Sequence, residues 1–136
     1  MDSKYSVSLD KIIEAHGFEV AYAPEDMKNR AVISPDVSRP GLIFTGFDQY
    51  FDNHRIQFLG AQEMSYIGSF SSEEARARIK KFMSMKPVAV LATRGQNYSD
   101  DFMEFSKEYS VPLLKTKDAT SSCMSAIISY LNIELA

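Results

Sequence analysis

Cysteine is nearly absent from this chain: Cys123 is the only one among 136 residues. An internal disulfide and a thiolate zinc cage are thereby excluded, and a small buried hydrophobe in a reducing compartment is the expected role. Histidine is scarce as well, with His16 and His54 far apart in sequence. His16 falls in the last turn of a candidate helix and His54 in a polar turn beside Arg55. No cysteine or carboxylate is placed to tune either ring, so structural roles are expected for both. An excess of one charge is lacking too: the formal net charge is −3, too small a field for general affinity to nucleic acid or to a membrane. No apolar run approaches the roughly 18 residues that span a bilayer. Residues 1–10 are polar and mixed, unlike an export signal, so the cytoplasm is the expected compartment. Neither GxxxxGK[ST] nor GxGxxG occurs, and no nucleophile–base pair is visible. Asp100 and Asp101 are adjacent and point different ways on a helix, which suits helix-start charge better than a metal.

What is present reads as one domain, residues 1–136. At this length folding hides on the order of two-thirds of the unfolded chain's surface, enough for a self-sufficient core. Ser8 is placed to cap a helix whose stripe is Leu9, Ile12, Ile13 and His16, with Gly17 at the left-handed C-cap position. Phe18, Val20 and Tyr22 alternate as in a strand, Pro24 to Arg30 is a polar turn, and Ala31 to Ile33 forms a brief second strand. Ile56 to Leu59 reads as a buried strand stopped by Gly60, and Ala61 to Ile67 as a short helix. Ser71 and Glu74 have capping-box spacing and open a helix with Ala75, Ile79, Phe82 and Met83 on one face, ended by Pro87. Val88 to Ala92 is a continuous apolar run, as in an interior strand covered on both sides. A helix from Ser99 to Tyr109 and a strand around Val111, Leu113 and Leu114 complete a βαβ unit with parallel strands. Thr120 is expected to cap the last helix, whose stripe is Met124, Ile127, Ile128, Leu131 and Leu135. The fold class expected is α/β, with a mixed, partly parallel sheet flanked by helices. A chain ending flush with a helix is consistent with a boundary between domains.

The stretch from Ile33 to Gly60 is the chain's most distinctive. Pro35 and Pro40 keep Ser34 and Arg39 out of the helical region. Gly41 directly after Pro40 signals a type II turn. Leu42, Ile43, Phe44, Phe47, Tyr50 and Phe51 are too apolar for an exposed loop and dock either on the core or on a partner. Arg39, Phe44, Phe47, Tyr50 and Phe51 are therefore the candidate interface residues.

One place has a rationale as a ligand site. In parallel sheets ligands gather beyond the carboxyl ends of the strands. Those ends carry Thr93-Arg94-Gly95 and Thr116-Lys117, and the following helix opens at Thr120-Ser121-Ser122, where free N–H groups could hold an anion. Thr93, Arg94, Thr120 and Ser121 are the candidate binding residues. The plainer alternative is that Thr120 caps its helix and the basic residues are solvated.

Taken together, Asp36-Val-Ser-Arg-Pro-Gly-Leu42, Gly46-Phe47, Tyr50-Phe51, Arg55-Ile-Gln-Phe-Leu-Gly60, Glu63-Met-Ser-Tyr66, Thr93-Arg-Gly95 and Val111-Pro-Leu-Leu114 resemble the N-terminal domain of bacterial HPr kinase/phosphorylase, in order and spacing over nearly the whole chain. Thr120 and the segment from Tyr130 to Ala136 fit as well. The chain departs from the usual family pattern at Ile43-Phe44-Thr45 and at Asp52-Asn53-His54. The resemblance implies a fold similar to the first domain of the Mur ligases. It also implies a bifunctional serine kinase and phosphorylase acting on HPr, the phosphocarrier of the sugar phosphotransferase system, in carbon catabolite repression. The P-loop, ATP, magnesium and catalytic carboxylate belong to a second domain that follows, so no catalytic residue, cofactor or metal is assigned to this chain. The family assembles as hexamers. The function expected is a non-catalytic assembly or regulatory domain; the alternative is a sensor of a small phosphate or carboxylate ligand.

Overall fold

The computed structural model describes residues 6–46, 49 and 51–136, the side chain of Leu42 excepted. Phe47 and Tyr50, two of the candidate interface residues, lie outside the described residues. The chain opens with a short strand β1 (Val7–Ser8) running directly into helix α1 (Leu9–His16). Ser8 caps that helix by accepting the N–H of Lys11, and Gly17 closes it at φ 68°, a conformation glycine adopts without cost. Strand β2 (Glu19–Tyr22), a 3-10 turn over Met27–Asn29, and β3 (Ala31–Val32) follow, with β3 antiparallel to β1. Then come β4 (Val37–Ser38), α2 (Gly41–Phe44), β5 (Ile56–Leu59), α3 (Ala61–Gly68), α4 (Ser72–Ser84), β6 (Val90–Ala92), α5 (Asp100–Tyr109), β7 (Leu113–Lys115) and α6 (Thr120–Glu134).

The main sheet has the strand order β2-β7-β6-β5-β4. The last four strands are mutually parallel, and β2 lies antiparallel to β7 with a register shift between Val20 and Tyr22. Side chains alternate across a strand, and the apolar residues of the central strands divide accordingly. Ile56, Phe58, Leu91 and Leu114 face α1 and α6, meeting Leu9, Ile12, Cys123, Ile127 and Leu131. Leu59, Val90 and Leu113 face the other layer, meeting Phe44, Ile79, Phe82, Phe102 and Phe105. Burial on both faces is why Val88–Ala92 reads as an unbroken apolar run, and it extends to Ile56–Leu59, where the polar Gln57 is buried with its apolar neighbours.

Two local expectations are corrected. Pro40-Gly41 is not a type II turn, because Gly41 is absent from the positive-φ residues and instead opens α2, with the Phe44 N–H donating to Pro40 O at 3.2 Å. Proline's fixed φ suits the start of a helix equally well, and the helical turn is what carries Ile43 and Phe44 into the core, at 8% and 0% exposure. Nor does Thr120 cap α6: the N-cap is Ala119, with no side-chain bond to the helix end. The Thr120 hydroxyl meets the buried Thr93 hydroxyl instead, at 2.5 Å. A buried hydroxyl without a partner costs about 1–3 kcal/mol, whereas a helix end can be served by water.

Ser71 caps α4 as its spacing predicts, accepting the N–H of Glu74, and Ser99, the expected start of its helix, caps α5 by accepting the N–H of Phe102. The Glu74 carboxylate does not complete a capping box; it accepts from Arg78 at 2.9 Å.

Candidate functional site

Four parallel strands end on one rim of the sheet, at Arg39, Gly60, Thr93 and Thr116. A polar centre is built there from side chains that arrive on four different elements. Arg39 follows β4. Its Nε donates to Glu63 Oε2 at 3.0 Å and its Nη2 to Glu63 Oε1 at 2.8 Å, a two-pronged ion pair. Glu63 stands in the first turn of α3 and also accepts the Gly60 N–H at 2.7 Å. That is the half of a capping box that a glycine N-cap permits. The carboxylate is thus charge-compensated and triply hydrogen-bonded, the condition under which a buried ion is tolerated. Its exposure is 5% while that of the Arg39 side chain is 37%, so the anion points inward and the cation outward.

Gly60 is required here for its missing side chain rather than for its backbone, whose φ is −92°. A Cβ would stand 2.7 Å from Arg39 Nη2, 2.8 Å from Thr120 Oγ1 and 3.2 Å from Glu63 Oε1. The same corner continues into the sheet. Thr93 is fully buried, its N–H donates to Leu59 O at 3.1 Å, and its hydroxyl bonds that of Thr120. A cleft of about 490 Å³ lies outside the corner, lined by Arg39, Gly41, Thr45, Gln62, Glu63 and Tyr66.

The candidate binding residues separate. Thr93 and Thr120 are brought together but face inward. Arg94 and Ser121 are exposed. The Thr93-Arg94-Gly95 turn is held by its backbone: Arg94 N–H donates to Asp118 O and Gly95 N–H to Thr116 O, each at 2.9 Å. Arg94 and Gly95 both adopt positive φ, 56° and 69°. The Arg94 and Gly95 N–H groups are therefore bonded within the loop pair, while the start of α6 at Thr120-Ser121-Ser122 carries no side-chain cap.

The candidate interface residues separate as well. Phe44 is buried in this chain's own core, its ring 5.1 Å from that of Phe82, and so has no surface to offer a partner. Phe51 is half-buried, 6.1 Å from the same ring. Arg39 is paired with Glu63 through Nε and Nη2 and keeps a side chain 37% exposed toward the adjoining cleft.

Other groups with chemical potential are likewise engaged. The His16 ring packs against Phe18 and Tyr130 at 5.3 and 4.9 Å, with Nδ1 2.9 Å from Ile12 O. His54 is exposed in a turn organised by Asp52 Oδ1. Burial pushes the Cys123 thiol up to about 11, with the charge of Asp118 adding to the effect. Gln57 is fully buried and its amide donates to Asp52 O and Arg55 O, tying the connection that precedes β5. Among the described residues no group of His, Cys, Asp or Glu is arranged to hold a metal, and no helix is long and apolar enough to cross a membrane.

Sequence reasoning missed Glu63, Gly60 and Gln57 as structural centres. A signal for the first two was present, since Gly60-x-x-Glu63 has the same spacing as Ser71-x-x-Glu74. No local pattern marks Gln57, whose neighbours make it look like part of an apolar strand.

A family model described as HPr Serine kinase N terminus matches residues 7–131. The HPr kinase/phosphorylase of Lachnoclostridium phytofermentans is 36% identical over 132 residues, covering 97% of this chain and 43% of the relative. That of Caldicellulosiruptor bescii is 31% identical over 132 residues, covering 97% and 42%, and that of Clostridium acetobutylicum 33% over 130 residues, covering 96% and 42%. The chain thus spans about two-fifths of the length of these curated relatives. Among solved structures, the CBS and DRTGG domains of the regulatory region of Clostridium perfringens pyrophosphatase, complexed with the activator diadenosine tetraphosphate, superpose with a TM-score of 0.62. The match covers 93% of this chain and 46% of that one at 17% identity, a likeness of fold.

Proposed function

This chain belongs to the family of HPr serine kinase N-terminal domains, and on that premise we propose that it is the non-catalytic assembly or regulatory module of a bifunctional HPr serine kinase/phosphorylase that controls carbon catabolite repression. In this reading the phosphoryl chemistry belongs to a following domain with a P-loop, ATP and magnesium, and HPr is met there. The whole protein is a cytoplasmic homo-oligomer, a hexamer as in the family. The observation that carries the reading is the use made of the sheet's carboxyl rim. Glu63 is bonded to Arg39 and Gly60, and Thr93 to Thr120. The rim's polar groups are spent on holding four elements together rather than left poised for acid–base work. The assembly contact is assigned to the connection that holds Phe47, Tyr50 and the half-buried Phe51.

The test compares full-length enzyme with enzyme lacking this domain. Altered oligomeric state by light scattering, or altered control of HPr phosphorylation, is expected; identical assembly and identical control would overturn the proposal. Phosphorylation of HPr by the isolated domain with ATP and magnesium would overturn its non-catalytic part.

A second reading, sensing of a small phosphate or carboxylate ligand, is favoured by the cleft beside Arg39. The structural neighbour also comes from a regulatory region solved with its activator. Stabilisation in a thermal-shift assay by nucleotides, sugar phosphates or phosphate would support it.

A further inference from the structure

The structure assigns a binding site to the cleft between α2 and α3, for a small anion carried on a flat ring; the inference deepens the sensing reading above and moves it away from the Arg94–Ser121 rim. The site is built in the sense that a ligand group is fixed before any ligand arrives. Two of the Arg39 nitrogens are held by Glu63, whose own position is set by the Gly60 N–H. Gly60 leaves the room this needs, because a Cβ there would collide with Arg39 Nη2 at 2.7 Å. The carboxylate is 5% exposed and the guanidinium side chain 37%, so the pair presents its positive end to the cleft. An immobilised guanidinium loses little entropy on meeting a carboxylate or phosphate, and its planar fork matches either.

The rest of the cleft suits the body that carries the charge. Tyr66 is 37% exposed, and its ring is braced edge-on by Phe70 at a centroid distance of 5.0 Å, a fixed surface for a planar group. Gln62 and Thr45 add polar side chains to the lining. The volume, about 490 Å³, lies within the range of small-molecule sites. The position, beyond the carboxyl ends of β4 and β5, is where open parallel sheets bind ligands.

The experiment is an amide chemical-shift titration of the folded chain with four probes: AMP, benzoate, inorganic phosphate and adenosine. AMP and benzoate test phosphate against carboxylate as the anion, and the last two carry the anion or the ring alone. At least one of AMP and benzoate is expected to shift the amides of Gly41, Gln62, Glu63 and Tyr66, and to bind about tenfold more tightly than phosphate or adenosine. Tyr66→Ala and Gln62→Ala replace exposed residues and leave the fold intact, so a loss of about tenfold in affinity in either reports on the site itself. Arg39→Lys keeps the charge but not the fork and is expected to weaken binding further. Shifts confined to Thr93–Gly95 and Thr116–Ser122, or no shift with any probe, would overturn the assignment. Neither outcome bears on the assembly reading, which is decided by the full-length comparison.

Discussion

Two arginines in this domain each grip a glutamate with two hydrogen bonds, Arg39 through Nε and Nη2 and Arg76 through both Nη atoms, to opposite effect. Arg39 holds Glu63 through two hydrogen bonds of 3.0 and 2.8 Å; Arg76 holds Glu104 through two of 2.8 and 2.6 Å and adds Asp101 at 3.0 Å. By geometry the second grip is the better. The partners differ in solvent: the Glu63 side chain is 5% exposed and the Glu104 side chain 52%. Water screens the Arg76 cluster and can replace it, while among the described residues Glu63 is compensated by Arg39 and one backbone N–H. Desolvation, not hydrogen-bond length, therefore decides which pair the fold depends on. The Arg76 guanidinium also lies over the Phe105 ring at 4.7 Å, so its stem and plane do more for the α4–α5 contact than its charge.

The sharpest way to break this comparison is Arg39→Ala, which strands a buried carboxylate and is expected to lower unfolding free energy by about 2–4 kcal/mol in urea denaturation. Glu63→Gln is expected to cost less, about 1–2 kcal/mol, because the half-exposed guanidinium can turn to water. If the two costs were equal, the asymmetry of burial would not be the controlling variable. Gly60→Ala forces a methyl against three polar atoms and is expected to cost about 1–3 kcal/mol. Combined with Arg39→Ala, which removes one of the colliding atoms, it should cost less than the sum. Thr93→Val orphans the Thr120 hydroxyl and Thr120→Val leaves the Thr93 hydroxyl only Leu59 O at 3.5 Å, each at about 1–2 kcal/mol, and the double substitution should cost less than both together.

A third arginine supplies a smaller effect of the opposite sign. Arg94 sits at φ 56° in a turn closed by backbone bonds, and glycine there should raise stability by about 0.5 kcal/mol, read by the same denaturation. The least effect belongs to Arg76. The hydrogen bonds from Arg76 hold the Glu104 carboxyl below the ordinary glutamate range. The folded chain thus gives up that proton more readily than the unfolded chain. The resulting stabilisation is complete above the unfolded glutamate value and is lost as pH falls through the lower folded one. Arg76→Ala should flatten that slope, and about 0.5 M salt should flatten it in the parent chain too. A slope that survives both would place the titrating group elsewhere.

Much of the architecture was legible in the chain because it is set by short-range rules. Ser8, Ser71 and Ser99 cap helices, and Gly17 ends one, for reasons contained within four or five residues. Burial of every residue in β5 and β6 follows from a sheet covered on both faces, a pattern that the apolar run of Val88–Ala92 announces. The polar corner was legible only in pieces: the Gly60-x-x-Glu63 spacing and the placing of Thr93 and Thr120 at the strand ends were local signals, but the pairing of Arg39 with Glu63 and of one threonine hydroxyl with the other joins separate stretches. Pro40-Gly41 misled for a related reason: the dipeptide suits a turn or a helix start, and the core's demand for Phe44 chose between them.

Local pattern alone thus established the longer helices, the caps at Ser8 and Ser71, the Gly17 stop, the interior strands, the parallel pairing around α5 and the family resemblance, since each rests on spacing within a segment or on ordered motifs. Which charges lie out of water, which hydroxyl answers which, and which rim of the sheet opens into a cleft were decided only when the strands came together. Those properties depend on distances between residues remote in sequence and on the dielectric around them, and neither exists until the chain has folded.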